Sequence, residues 1–327
     1  MKKFFIKVSY FSFIPVLVLL VVVLIQHLIP DNAVLDSTLE SKIASLVIDM
    51  SKINVIIAGD SRAERQLSPK IIKEQTGFNA INIATSSCDL LTTVTAIKQK
   101  YVINSKTIFV ISASSFQIND GAVDPGYLSL KCFHDMSLFD KFWLYKGNLS
   151  ALIRIQDQLI DAYRQLLQNK ESIDTSLIKE AGFLGIDGNV DTKSDIENTK
   201  KNHAWYKNVN NNNAGARWSL FKRSLHEIGS MNSVFILYQP PVSHYWKTNT
   251  SGSFIDIAEK QYSEKVKQET KQYKNIIFID FYNNDFPGLN DSMFYDIQHL
   301  NRQGAAAFSA YMSKEIMEAY QTHLNAR

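Results

Sequence analysis

The sequence predicts an α/β protein with a central, mainly parallel sheet. Three observations predict it: short runs of branched apolar residues, as in strands buried on both faces; helix-like stretches between those runs; and glycine or serine where the two alternate. Of the 327 residues, 45% are hydrophobic, which is enough for a sizeable core even when an apolar amino-terminal run is set aside.

The first half of the sheet follows from a regular alternation. Residues 53–58 are mostly branched and apolar, and Gly59 ends this first strand where a sharp turn is wanted. Ser68 and Pro69 are typical of an N-cap and first helical position, and Gly77 of a helix stop. The alternation continues with a strand over 79–84, a helix over 89–104 and a strand over 107–111.

The alternation pauses over residues 113–215, which we interpret as an insertion. Its pattern is mainly helical, most clearly over 149–168, and its polar part from 185 to 215 is predicted to be a surface loop. Beyond the insertion the sequence predicts helices over 217–228 and 255–273, strands over 233–239 and 276–281, and a closing helix from residue 302.

The amino terminus is predicted to be an uncleaved transmembrane helix. Residues 9–29 are almost entirely apolar, and about 20 such residues cross a bilayer. Lys2, Lys3 and Lys7 precede the run, so the positive-inside rule places the amino end in the cytoplasm and the rest outside. A cleaved signal peptide is the alternative, with the same location for the domain. The predicted units are an anchor over 1–30, a linker helix over 31–50 and one domain over 51–327.

Composition narrows the function further. The net charge is +3 with no basic stripe, which argues against nucleic acid as a partner. Cys88 and Cys132 are the only cysteines, and either a disulfide or two unpaired thiols fits this number. No Cys/His cluster has zinc spacing, so neither a metal nor another cofactor is predicted.

Two segments at opposite ends of the domain carry residues suited to attack on a carbonyl. Ser61 ends a Gly-Asp-Ser segment directly after the first strand, and open parallel sheets bind ligands at that edge. A serine hydroxyl attacks only if a base removes its proton, and His299, in the loop before the last helix, is the candidate base. Asp296, three positions upstream, is close enough to hold the other ring nitrogen.

These two segments resemble the first and last motif blocks of the SGNH (GDSL-like) hydrolase superfamily, and the resemblance spans roughly residues 50–325. It implies a three-layer, flavodoxin-like fold and ester chemistry on acyl groups, with Ser61 as nucleophile, His299 as base and Asp296 as its partner. The family usually adds a glycine and an asparagine as oxyanion donors.

At the positions of those two donors this chain departs from the family. Ser86 and Ser87 follow the second strand, where a backbone N–H could still donate, and Ser114 follows the third. This departure resembles the membrane-anchored branch that acylates cell-surface polymers. Candidate substrate-binding residues are Arg62, beside the nucleophile, and His244 and Trp246, after the fourth strand; packing roles are the alternative for each.

The sequence therefore predicts an extracytoplasmic O-acyltransferase that works through an acyl-serine. Its acceptor would be an exopolysaccharide or other envelope glycan, and O-acetyl transfer is the preferred reaction. The resemblance also implies a multi-spanning membrane-bound O-acyltransferase as the partner that brings the acyl donor. A carbohydrate esterase of the same fold and a non-catalytic glycan-binding assembly factor with a degenerate site are the alternatives.

Overall fold

The computed structural model describes residues 42, 43, 46, 50–86, 88–100, 106–119, 134–137, 139, 164, 180–188 and 215–325. The predicted anchor over 1–30, most of the linker over 31–50 and most of the insertion over 113–215 lie outside these residues. Among the helices that are described, none combines the length and the apolar character needed to cross a membrane. Cys88 is buried, whereas Cys132 lies outside the described residues.

Five parallel strands form the central sheet of the described residues. They are β1 (Val55–Ala58), β2 (Ala80–Asn82), β3 (Ile108–Ser112), β4 (Val234–Gln239) and β5 (Ile276–Asp280), in the order β2-β1-β3-β4-β5. In register, Ile56 pairs with Ile81 on one side and with Phe109 on the other. Every residue of β1, β3 and β4 is buried, as expected of strands that helices cover on both faces. The predicted α/β class with a parallel sheet is confirmed.

The described α-helices are α1 (Ser61–Gln66), α2 (Pro69–Thr76), α3 (Leu90–Lys100), α4 (Ala216–Gly229), α5 (His244–Thr250), α6 (Phe254–Thr270) and α7 (Arg302–Asn325). Short 3-10 helices lie at Met50–Lys52, Ser115–Ile118 and Asp291–Met293. The sequence pattern locates α2, α3, α4, α6 and α7 within a few residues. It misses α5, where the Ser243 side chain caps a helix by accepting a hydrogen bond from the Trp246 N–H.

The helices cover the sheet on both faces and so make three layers. On one face, strand residues such as Ile56, Phe109 and Phe235 pack with residues of α3, α4 and α6. On the other face, Ile57 and Val110 pack with residues of α1, α2 and α7. The alternation of side chains along each strand thus divides one apolar run between two cores.

The strand order places the topological switch point of the sheet next to β1. After β1 the chain continues into α1 and α2 on one face, whereas α4, which precedes β4, lies on the opposite face. The pair β1 and β3 is therefore the point at which the winding reverses, where open α/β sheets hold their ligands. Helix α7 packs against α1 and α2, so the loop before α7 also reaches this edge.

Candidate active site

Three side chains from two distant segments form a continuous hydrogen-bonded chain at this edge. Ser61 Oγ lies 2.8 Å from His299 Nε2, although the two residues are 238 positions apart. His299 Nδ1 lies 2.7 Å from Asp296 Oδ2. The side chains of His299 and Asp296 are 16% and 20% exposed, so both are largely buried but still accessible to solvent. This is the arrangement that activates a serine: nucleophile, base, and a third group that orients the base.

The Asp296 carboxylate is bound on both oxygens. Oδ1 accepts the backbone N–H groups of Gln298 and His299 at 2.8 and 2.7 Å, and Oδ2 faces the imidazole. Burial alone would raise the pKa of this carboxyl, but the bonds from His299 and the two N–H groups outweigh it, and the pKa is lowered. An ionised carboxylate can only accept, so His299 Nδ1 carries the proton and Nε2 presents its lone pair to Ser61.

The loop that carries His299 is fixed from both sides. Phe294 and Leu300 form an antiparallel bridge that closes the loop around Asp296. On the other side, Gln66 Nε2 at the end of α1 donates to the Gln298 carbonyl at 2.8 Å. The helix that begins at Ser61 is therefore hydrogen-bonded to the loop that carries His299.

The turn that presents Ser61 depends on glycine. Gly59 has a φ of 112°, a backbone conformation that residues other than glycine rarely adopt. A Cβ at this position would lie 2.3 Å from Ser112 Oγ and 2.9 Å from the Ser112 backbone N and O. Gly59 therefore lets β1 and the end of β3 approach closely just before Ser61.

Asp60 anchors the turn before Ser61 through a buried polar network. Its Oδ1 accepts from the Ser112 hydroxyl at 2.9 Å and from the Arg62 N–H at 3.0 Å, and its Oδ2 accepts from the Ser114 hydroxyl at 2.6 Å. Arg62 Nη2 lies 3.3 Å from Oδ2. Burial would raise the pKa of Asp60, but the guanidinium and the two hydroxyls outweigh it and hold the pKa below its ordinary value. The residue beside Ser61 is thus a buried, compensated anion.

In this network Arg62, a candidate substrate-binding residue, and Ser114, at a candidate oxyanion-donor position, both contact Asp60. Arg62 is only 7% exposed, pairs with Asp60 and lies over the Phe116 ring, with 5.7 Å from Cζ to the ring centroid. Ser114 is fully buried, and its hydroxyl is committed to Asp60. Both side chains stabilise the turn through Asp60. The buried Asp60 carboxylate needs a counter-charge, which Arg62 supplies, and hydrogen-bond donors, of which Ser114 is one.

Of the two candidate residues after β4, Trp246 has the packing role given as its alternative, whereas His244 is exposed. Trp246 is 1% exposed and packs with Ile255, Tyr282 and Ile297, so it offers no face to a sugar. Through Ile297 it packs against the loop that carries His299. His244 is exposed on α5, and its Nε2 lies 3.0 Å from Asp285 Oδ2. Of this pair, His244 alone remains on the surface.

The loop after β2 supplies the remaining candidate donors. Ser86 is exposed, and its hydroxyl donates to Glu64 Oε2 at 3.3 Å; Ser87 lies outside the described residues. The backbone N–H groups of Ser61 and Ser86 meet no acceptor in the part of the chain that the structure describes. Both can therefore donate to a developing oxyanion without breaking an existing bond.

Several supporting residues escape sequence reasoning. Ser112 fixes Asp60, Glu64 accepts from Ser86, and Lys42 pairs with Glu64. The signal for Ser112 is a polar residue at the end of an otherwise apolar strand. Glu64 and Lys42 have no such signal, since charged residues in amphipathic stretches are usually exposed.

Comparison with known proteins adds little beyond this geometry. No protein-family model matches the chain, and no curated protein matches its sequence. One matching solved structure is a protein from Streptococcus pneumonia, provisionally described as a platelet activating factor. It is 10% identical, with a TM-score of 0.40, over 85% of this chain and 91% of that one. At this level of likeness nothing about activity follows for this chain.

Proposed function

We propose that this chain is a serine-dependent acyl-transfer enzyme of the SGNH type. The observation that carries the proposal is the chain of contacts from Asp296 through His299 to Ser61, with hydrogen bonds of 2.7 and 2.8 Å. The position of this group supports the same conclusion, because it lies where the winding of the sheet reverses. The strand order 2-1-3-4-5 is that of flavodoxin-like sheets, which the SGNH resemblance implies.

The reaction is a double displacement. Ser61 Oγ attacks the acyl carbonyl carbon, its proton passes to His299 Nε2, and the carbonyl oxygen becomes an oxyanion held by the N–H groups of Ser61 and Ser86. Collapse breaks the bond to the leaving group, which takes the proton from His299. An acceptor hydroxyl then attacks the acyl-serine, gives its proton to His299, and Ser61 regains a proton as it leaves. Asp296 stabilises the imidazolium in both halves.

We further propose that the acceptor is a hydroxyl of an envelope glycan and that the usual acyl group is acetyl. Support comes from the predicted anchor over residues 9–29, which would hold the domain at the outer face of the membrane. The likeness to the anchored branch of the SGNH family supports transfer over hydrolysis. A multi-spanning membrane-bound O-acyltransferase would supply the acyl group across the bilayer.

The test uses the purified full-length chain with p-nitrophenyl acetate, with and without neutral cello- and chito-oligosaccharides. We expect nitrophenol release to rise with the sugar, and acetylated sugar to be detected by mass spectrometry. Nitrophenol release that is the same with and without the sugar would instead establish an esterase. Release equal to that of Ser61→Ala would refute acyl-serine chemistry. Ser230→Ala is the matched control, because Ser230 is exposed and precedes β4 at the opposite edge of the sheet.

A further inference from the structure

Lys42 is a buried cation in the segment that precedes the α/β domain. It is 1% exposed, and its Nζ lies 3.0 Å from Glu64 Oε1 and donates to the Ala84 carbonyl at 2.5 Å. A buried ammonium is costly unless it is paired and hydrogen-bonded, and here it is both. Burial lowers the pKa of Lys42, while Glu64 opposes that shift. Lys42 therefore connects the segment before the domain to the domain itself through two specific polar contacts.

The contacts of Lys42 lead directly to the active site. Glu64 lies one turn after Ser61 on α1, and its second carboxylate oxygen accepts the Ser86 hydroxyl at 3.3 Å. Ala84, whose carbonyl also binds Lys42, begins the loop that contains Ser86. One ammonium thus connects the helix that carries the nucleophile with the loop that carries a proposed oxyanion donor.

Neighbouring residues enclose this contact. Leu46, one turn further along, is 6% exposed and belongs to the core on the α3 side of the sheet. Gly182 closes over the lysine from another segment: a Cβ there would lie 3.3 Å from Lys42 Cε and 1.9 Å from the Asn82 carbonyl oxygen. The Asn82 N–H in turn donates to the Ala181 carbonyl at 2.9 Å. The pocket around Lys42 therefore leaves the ammonium little freedom to move.

We propose that Lys42 is a positioning residue for acyl transfer, held between the helix that begins at Ser61 and the loop that contains Ser86. The inference rests on the proposed function. Lys42 holds Glu64 and the Ala84 carbonyl, and it thereby fixes the Ser86 N–H relative to Ser61 Oγ. A misplacement of about 1 Å in such a group can cost about 100-fold in rate. Lys42 would then belong to the residues that support the site, although it precedes the first strand.

The test compares Lys42→Met with Lys52→Met in the full-length chain. Methionine keeps much of the length of lysine but has no ammonium, and Lys52 is an exposed lysine of the same region. For Lys42→Met we expect kcat and kcat/KM with p-nitrophenyl acetate to fall together, by about 10- to 100-fold, with KM unchanged. A purely structural lysine would lower the melting temperature and leave kcat of the folded fraction unchanged. Lys52→Met is expected to match the wild type.

Ser86→Ala keeps the inference testable if Lys42→Met does not fold. It removes the far end of the same contact at an exposed position and leaves no buried charge unpaired. We expect a lower kcat at unchanged KM and melting temperature. If Lys42→Met folds and keeps the wild-type kcat, the positioning role is refuted. If Lys42→Met does not fold, a wild-type kcat in Ser86→Ala refutes it. Failure of the proposed function is distinct, because Ser61→Ala would then match the wild type.

Discussion

The hydrogen bond between His299 and Asp296 determines which ring nitrogen faces Ser61. In Asp296→Asn the amide keeps the size of the carboxylate but can donate to Nδ1, which would put the ring proton on Nε2 and remove the base. We expect kcat with p-nitrophenyl acetate to fall by about 10,000-fold, with the melting temperature little changed. Asp285→Asn, at the exposed partner of His244, should keep wild-type kcat. A loss of less than tenfold in Asp296→Asn would contradict the assigned role.

Asp60 makes stability depend on pH in a direction that its environment fixes. Its folded-state pKa lies below the ordinary 3.8, so the stability from its ionised form is complete above that pH and is lost as pH falls through the folded value. At pH 7, Asp60→Asn removes the anion that pairs with the buried Arg62 guanidinium and should cost about 3 kcal/mol.

The measurement is urea denaturation of wild type and Asp60→Asn at several pH values. The difference between the two should be largest near pH 7 and should shrink in acid, because a protonated Asp60 resembles asparagine. The exposed variant Asp285→Asn should change stability by less than about 0.5 kcal/mol. A difference for Asp60→Asn that grows toward low pH would contradict the buried anion.

The turn between β1 and α1 fails if a side chain replaces the hydrogen of Gly59. We expect Gly59→Ala to cost about 3 kcal/mol from the backbone strain and the contact with Ser112 together. Gly77, the C-cap of α2, also has a positive φ, but no atom lies within 4 Å of the Cβ position. Gly77→Ala should therefore cost only about 1 kcal/mol. Equal losses in thermal or urea denaturation would show that close packing at Gly59 is unimportant.

Strands were easier to predict than the helix after β4. A strand buried on both faces needs apolar residues throughout, so the sequences of β1, β3 and β4 identify them directly. Helix α5 is short and polar, and the aromatic residue Trp246 looks like a surface ring. Its burial depends on Ile255, Tyr282 and Ile297, which come from separate parts of the chain. Local pattern cannot predict such a cluster.

The candidate active site, too, can be predicted from the sequence only in part. The pairing of Ser61 with His299 could be predicted, since both follow from the positions of loops at one edge of a parallel sheet. The burial of Arg62 could not, because it depends on Asp60 being bound by Ser112 at the end of β3 and by Ser114 just after it, about 50 positions away in the chain. The burial of Lys42 has no local signal for the same reason, since it depends on Glu64 and Ala84.

The whole chain is predicted to have a cytoplasmic amino end, one membrane helix and an external α/β domain. Residues 9–29 contain no charged side chain, and each arginine at the centre of such a helix costs about 2.5 to 3.5 kcal/mol of insertion free energy. The double variant Leu19→Arg/Val22→Arg should therefore lose membrane insertion, whereas Leu19→Ala/Val22→Ala should retain it. Insertion is measured by how much of the chain stays in carbonate-washed membranes of expressing cells. Alkaline phosphatase fused after residue 327 reports on which side of the membrane the domain lies. Release of the wild-type chain by carbonate, with a new amino terminus near residue 30, would show a cleaved signal peptide and remove the anchor. The triad geometry would stand in that case, but the support that membrane attachment gives to glycan transfer would be lost.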